Sequence, residues 1–261
     1  MKYFYVVGNK TSKSLSPVIF NYWFSKYKIN ARYGFIETTS KGFEKKIKKT
    51  LNKKNLIGLN ITIPFKQKIM GYIDSLDKHA KKIDAVNCVS LGKKTEGINT
   101  DWVGFFKAIP KVHSFKNKKI LIIGYGGAAL GIHYVLKTKG FKNIFIVNRT
   151  KKRLGFENQR KFTLSLNNLN IYLKKADLII NTTPTNPINK KQAQLVKTKA
   201  LINDIVYIPK ETGFLKNFPN HKKIYGISML LEQAKPCFKT WFGFDPIIDT
   251  KLIKILEKKT K

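Results

Sequence analysis

The stretch KKILIIGYGGAAL, residues 118–130, constrains the fold of this chain more than any other. Ile120, Leu121, Ile122 and Ile123 form a short apolar run of the kind buried on both faces of a parallel sheet. Gly124, Gly126 and Gly127 follow at once, and Ala128, Ala129 and Leu130 open a helical pattern. Strand, glycine turn and helix in this order are the setting of a dinucleotide-binding fingerprint. In that reading Gly124 makes the tight turn, Gly126 lets the backbone approach a pyrophosphate, and Ala129 is small enough for close helix–strand packing. The free N–H groups along Gly124, Tyr125, Gly126, Gly127 and Ala128 then face the phosphates. The competing reading is a tight turn that binds nothing.

Apolar runs alternating with amphipathic stretches extend to both sides, which indicates an α/β chain. Strands are expected at 3–7, 32–37, 56–62, 85–89 and 95–99 before the glycine turn, and at 143–147, 177–181, 200–205 and 222–225 after it. Ser16 reads as an N-cap with Pro17 at the first helical position, and Phe20, Trp23, Phe24 and Tyr27 share one face of that helix. Phe43, Ile47 and Leu51 make the apolar stripe of another helix whose remaining face is lysine. Asp101 is placed to cap a helix carrying Trp102, Phe105, Phe106 and Ile109. Helical patterns at 228–239 and 246–258 end the chain.

Three groups of residues carry chemistry. At the end of the second strand after the fingerprint, an NAD site usually has an acid that takes the ribose hydroxyls. Here stand Asn148, Arg149 and Thr150, and a guanidinium holds a 2′-phosphate where a carboxylate would repel it. Arg153, read as one helical turn on, would assist; NADP is therefore expected over NAD. Arg149 as a plain solvated cation is the alternative. Lys66 follows Asn60-Ile61-Thr62-Ile63-Pro64-Phe65, where a strand ends at a proline turn that aims the lysine into a cleft. Asp101 closes Asn99-Thr100-Asp101. Together they form a pair able to move a proton, against the readings of a solvated lysine and a simple helix cap. Ser14 and Ser16 are two apart, so in an extended loop both hydroxyls face one side and suit a carboxylate.

A formal net charge of +36 raises the question of nucleic acid. Of the 51 basic residues only four are arginine (Arg32, Arg149, Arg153 and Arg160), and the lysines are spread along the chain. Nucleic-acid readers lean on arginine for bidentate contacts, so solvated helix faces account for the charge and no specific nucleic acid is expected. No apolar run approaches the ~18 residues of a membrane span. The opening MKYFYVVGNK lacks a signal-peptide core and cleavage site and reads as a first strand. Cys88 and Cys237 have no metal spacing and the four histidines do not cluster with them; no metal, and a reducing cytoplasmic setting, are expected.

These pieces together resemble the shikimate dehydrogenase family, nearly end to end. The resemblance rests on Ser14-Leu15-Ser16-Pro17, Asn60 to Lys66, Ala85-Val86-Asn87, Asn99-Thr100-Asp101, the glycine turn and Asn148-Arg149-Thr150. Later come Asn181-Thr182-Thr183-Pro184, Asp204-Ile205-Val206-Tyr207 with Pro209 and Thr212, and Gly226 to Leu230 with Gln233. It implies an N-terminal α/β substrate domain, 1–101 completed by C-terminal helices in 230–261. A doubly wound Rossmann NADP domain over 102–229 and a cleft between the two complete the implied architecture. It implies reversible reduction of 3-dehydroshikimate to shikimate. Ser14, Ser16 and Tyr207 would hold the carboxylate, and Thr62, Asn87, Asp101 and Gln233 the ring hydroxyls. Lys66 would transfer the proton, and Gly226 and the Ile205 backbone would border the nicotinamide. The alternatives are a quinate/shikimate enzyme with relaxed cofactor use, a folate-type dehydrogenase, and a non-catalytic RNA-binding relative. Monomer and homodimer are both open. The chain departs from the family at Asp84 (usually glycine), Cys88 (usually threonine), Thr185-Asn186-Pro187 (usually opening glycine-methionine) and a short 153–175 stretch.

Overall fold

The computed structural model describes residues 1–155 and 161–260; Arg160 lies outside them. In chain order the elements are β1 Lys2–Gly8, α1 Ser16–Lys26, β2 Ala31–Glu37, α2 Phe43–Leu51, β3 Leu56–Ile61, β4 Ser75–Leu76, α3 Lys78–Ile83, β5 Cys88–Leu91 and β6 Thr95–Ile98. Then follow α4 Asp101–Ala108, β7 Ile120–Ile123, α5 Gly127–Thr138, β8 Ile144–Val147, α6 Leu169–Lys175, β9 Leu178–Asn181, α7 Lys190–Ala193, β10 Leu201–Asp204, α8 Gly213–Lys216, β11 Lys222–Ile224, α9 Gly226–Phe242 and α10 Thr250–Lys259. The chain forms two compact units, one of Met1–Asp101 with Gln233–Leu256, the other of Trp102–Glu232 with Glu257–Lys261.

The first unit holds a six-stranded mixed sheet, β2-β1-β3-β5-β6-β4. β1 runs parallel to β2 and β3, while β5 is antiparallel to both β3 and β6. One side of its core is aromatic: Phe20 stacks on Tyr33 at 4.6 Å, and Phe4 meets Trp241 at 4.8 Å. A Cβ on Gly58 would collide with the Trp241 ring, so glycine in β3 is what lets α9 lie close. A second cluster packs Phe43 and Ile47 of α2 against Leu59, Ile61, Phe65 and Val89. The strand expected at 85–89 lies later, at Cys88–Leu91; Ala85 to Asn87 lead into it.

The second unit is built on a five-stranded, wholly parallel sheet, β11-β10-β9-β7-β8. β7 and β9 are buried at every position, as strands covered on both faces must be. Beyond β8 the chain at 164 adds a short parallel contact, Leu164 N–H to Ile146 O at 2.8 Å. This arrangement of parallel strands and covering helices is the doubly wound α/β fold.

Two local expectations are corrected. Ser16 does not cap α1: the cap position is Leu15, in right-handed helical conformation, and the Ser14 hydroxyl accepts the Ser16 N–H at 3.2 Å. The chain therefore turns at Leu15 and 14–16 is not extended, so the alternation argument for two parallel hydroxyls does not hold. Arg153 is not one helical turn beyond Arg149. It forms a bridge with Phe162, and 152–154 runs alongside 161–163 through Thr163 N–H to Lys152 O at 2.8 Å and Leu154 N–H to Lys161 O at 2.9 Å.

Candidate functional site

In the first unit the turn after β3 places Lys66. Phe65 N–H donates to Thr62 O, closing the turn, and the Phe65 ring is buried on Phe43 with centroids 4.2 Å apart. With Phe65 anchored and Val86 N–H donating to Lys66 O at 2.8 Å, the backbone of Lys66 is fixed on both sides. Its side chain is one-tenth exposed, and its Nζ donates to Asp101 Oδ2 at 2.5 Å. The described residues give Nζ that one acceptor, so its other N–H directions are free for an oxygen of a ligand.

Asp101 is held in turn. Its N–H donates to Asn99 Oδ1, and Asn99 Nδ2 donates to Ala85 O. Asn87, buried, has its Oδ1 taken by Thr100 N–H at 2.7 Å. Its Nδ2 has three acceptors in range: Thr100 Oγ1 at 2.8 Å, Asp101 Oδ1 at 3.0 Å and Gln233 Oε1 at 3.1 Å. An amide has two protons to give. The Thr100 hydroxyl can donate to Asn87 Oδ1 at 3.2 Å, so Asp101 and Gln233 are the acceptors that need those protons. Lys66, Asp101, Asn87 and Gln233 are thus one connected cluster, drawn from a turn, a helix start, a strand entry and α9.

Behind it sits a second polar layer, whose residues carry no role in the sequence alone. Tyr33 O–H donates to Asn60 Oδ1 at 2.7 Å, and Asn60 Nδ2 donates to Asn87 O at 3.0 Å and to Cys237 Sγ at 3.2 Å. Burial pushes the Cys88 thiol well up, with Cys237 as its neighbour. Tyr33 reads from sequence only as a strand aromatic, and nothing in its spacing signals the hydroxyl's partner.

Thr62 and the serine loop converge at Gly8. A Cβ there would collide with Thr62 and lie 2.8 Å from Thr11, and Asn9 N–H donates to Ile63 O at 3.1 Å. Ser14 is half-buried and Ser16 is buried at the first turn of α1. The Ser14 hydroxyl takes the Ser16 N–H and Pro17 has none, so the start of this 11-residue helix offers an anion mainly its positive dipole end.

In the second unit Gly124 has φ +97°, a conformation glycine takes freely, and a Cβ on it would stand 2.7 Å from Thr182 Oγ1. Gly126 is exposed and opens on free space, with nothing within 4 Å of where its Cβ would be. It also precedes α5, whose first turn has no capping side chain and no acid. Open space and uncapped donors at the start of a 12-residue helix suit a pyrophosphate. Gly127 and Ala128 are half-buried in that first turn, whereas the Tyr125 ring is buried, so only the backbone of Tyr125 is available there. Arg149, Thr150 and Arg153 are exposed beyond β8, with Asn148 Nδ2 donating to Thr150 O at 2.7 Å.

The loops after β9 and β10 are tied through Asp204. Thr212 O–H donates to Oδ2 at 2.6 Å, and Val206 N–H and Asn181 Nδ2 donate to Oδ1 at 3.0 and 3.1 Å. Burial raises the Asp204 carboxyl above its ordinary range, and these donors oppose the shift. Asn181 Nδ2 also reaches Thr185 O at 3.3 Å, which braces the departing Thr185-Asn186-Pro187 loop. Gly226 is buried where a Cβ would collide with Ile205 O, so Gly226 and the Ile205 backbone meet. Tyr207 lies in the half-buried stretch after β10 and belongs to the second unit, whereas Ser14 and Ser16 belong to the first.

Comparison with known proteins agrees with these two halves. Residues 6–89 match the shikimate dehydrogenase substrate binding domain, and residues 107–210 match shikimate / quinate 5-dehydrogenase. A Staphylococcus aureus (strain MSSA476) protein, shikimate dehydrogenase (NADP(+)), is 34% identical over 98% of each chain. The chain belongs to the shikimate dehydrogenase family. The crystal structure of the Aquifex aeolicus shikimate dehydrogenase superposes with a TM-score of 0.84 at 31% identity, covering 98% of this chain and 97% of that one. The Thermus thermophilus family member, solved with NADP(H) and shikimate, shares the fold with a TM-score of 0.82 at 24% identity, over all of both chains.

Proposed function

We propose that this shikimate dehydrogenase family member interconverts 3-dehydroshikimate and shikimate with NADP. The first unit binds the substrate and the second the cofactor. The observation that carries the reading is the buried Lys66–Asp101 pair, locked by Asn87 and Gln233 and leaving amine donors for a ligand. NADPH, when bound, supplies the hydride. Lys66 gives a proton to the oxygen that becomes a hydroxyl and takes it back in the reverse direction. Asp101 holds the amine in place. Asn87, Gln233 and Thr62 donate to or accept from the ring hydroxyls, Asp101 helping with its own oxygens. The substrate carboxylate is held by Ser14, Ser16 and Tyr207, with the positive end of α1 assisting. Gly124 to Ala128 take the pyrophosphate and Gly226 with Ile205 lines the nicotinamide. Asn148, Arg149, Thr150 and Arg153 take the adenosine side, Arg149 on the 2′-phosphate. Free, buried Cys88 and Cys237 fit a reducing, cytoplasmic setting, and among the described residues no helix is long and apolar enough to cross a membrane.

Lys66→Met keeps the stem and removes the proton carrier. Shikimate-dependent turnover is expected to fall by about 10²–10⁴-fold, with NADP affinity unchanged because Lys66 and the glycine turn belong to different units. A folded variant that keeps more than about a tenth of wild-type kcat, well short of that range, removes Lys66 from the mechanism.

A further inference from the structure

We propose that Tyr125 and His133 form a buried brace that positions the Arg149-bearing segment against the glycine turn, and so sets the preference for a 2′-phosphorylated cofactor. This rests on the cofactor reading above and deepens it. An aromatic residue between the two glycines of such a turn has two options: to fill the ligand space, or to fold under the helix. Tyr125 takes the second, at 4% exposure. Its hydroxyl meets Nδ1 of His133, a buried residue of α5, at 3.0 Å, and the rings pack edge-on with centroids 5.8 Å apart.

The same tyrosine reaches the segment after β8 twice. Its hydroxyl accepts the Gly155 N–H at 3.4 Å, and its carbonyl accepts Lys152 Nζ at 3.2 Å. A phenol has one proton to donate. The hydroxyl and Nδ1 share one proton between them, its direction set by the His133 tautomer. The other margin of the segment is laced to 161–163 by backbone hydrogen bonds and by Lys152 N–H to Thr163 Oγ1 at 3.0 Å. Residues 150–155 are therefore held on one side by that ladder, with Thr163 Oγ1 also donating to Thr150 O at 3.4 Å, and on the other by Tyr125. Removing the hydroxyl leaves the ladder, the Lys152 contact and Gly124 N–H to Val147 O in place, and loosens the segment at its Gly155 end. The placement of Arg149 relative to the pyrophosphate donors is then held less tightly. A cofactor with a 2′-phosphate uses both at once; one without it uses only the turn. Tyr125 and His133 are positioning residues, since both rings are buried.

The test is the ratio of NADP⁺ to NAD⁺ dissociation constants, measured by calorimetry on the whole wild-type chain, Tyr125→Phe and His133→Phe. Both variants keep a buried ring. Each is expected to weaken NADP⁺ by about three- to tenfold, the worth of one hydrogen bond, and to move NAD⁺ much less. A folded variant of either kind with the wild-type ratio, or with both cofactors weakened in parallel, overturns the proposal. If Tyr125→Phe does not fold, His133→Phe decides alone. A wild-type chain with no preference for NADP⁺ overturns the cofactor reading itself, which separates the two failures.

Discussion

Asp84 closes α3 at φ 60°, ψ 39°, the left-handed region in which an L side chain is strained. It is the position at which the family resemblance leads one to expect glycine, and the backbone angle explains that expectation. Aspartate is among the few residues that tolerate this conformation, and here its Oδ2 also accepts Gln67 Nε2 at 2.7 Å, next to Lys66. Asp84→Gly is expected to stabilise the chain by about 0.5–1 kcal/mol, strain relief exceeding one exposed hydrogen bond. Asp84→Ala should be less stable than wild type, and urea unfolding of the three proteins orders them. Asp84→Gly falling below Asp84→Ala would contradict the strain argument. At this scale the legible residues were those whose chemistry follows from backbone punctuation. Lys66 sits at a proline turn, and Asp101 at the end of a strand in a chain poor in acids. Ser16 reads as a cap because the sequence Ser-Leu-Ser-Pro does not say which serine oxygen meets the helix N–H; the structure uses the Ser14 oxygen. Tyr125 was legible as part of the turn, but the direction of its ring depends on His133, eight residues away.

Asp249 joins two helices. Its Oδ1 accepts Leu252 N–H at 2.9 Å, capping α10, while Tyr22 O–H and Lys26 Nζ of α1 both donate to the carboxylate. The Lys26 ammonium, then the Leu252 N–H and the Tyr22 hydroxyl, hold its pKa far below the ordinary carboxylate value. A depressed folded-state pKa means the contribution is complete above the unfolded value of about 4 and is lost as pH falls below it. The urea midpoint of wild type should therefore drop between pH ~5 and pH ~3 more steeply than that of Asp249→Asn; equal slopes would show that the junction is inert. The long elements were legible because their apolar periods are unbroken: β7, β9, α2 and α9 lie where the pattern puts them. β4 has two residues and α3 six, too few to show a period, and α3 is signalled only by the Asp77 side chain accepting Ala80 N–H at 2.7 Å. The pairing of 152–154 with 161–163 is not legible because each run is three residues long with a single large apolar residue, Leu154 or Phe162, too few to show a period.

The whole molecule carries 51 basic against 15 acidic residues. Many of the acids are already committed to pairs, including Asp101–Lys66, Asp249–Lys26, Asp177–Lys197 and Glu257–Lys210. The remaining lysines repel one another across the surface, a cost that added salt relieves. Between about 0.01 and 0.1 M salt the screening length shortens from about 30 to about 10 Å, so the melting temperature should rise over that range. A falling melting temperature would mean that exposed ion pairs, rather than self-repulsion, dominate. The same field draws anionic ligands toward the chain, and both a substrate carboxylate and a 2′-phosphate are anionic. The most direct test of the account is steady-state reduction of NADP⁺ and of NAD⁺ by the wild-type chain, each with shikimate and with quinate, followed by nicotinamide absorbance. The account predicts the highest kcat/KM for shikimate with NADP⁺. No turnover with that pair, or a higher kcat/KM with NAD⁺ or with quinate, would contradict it.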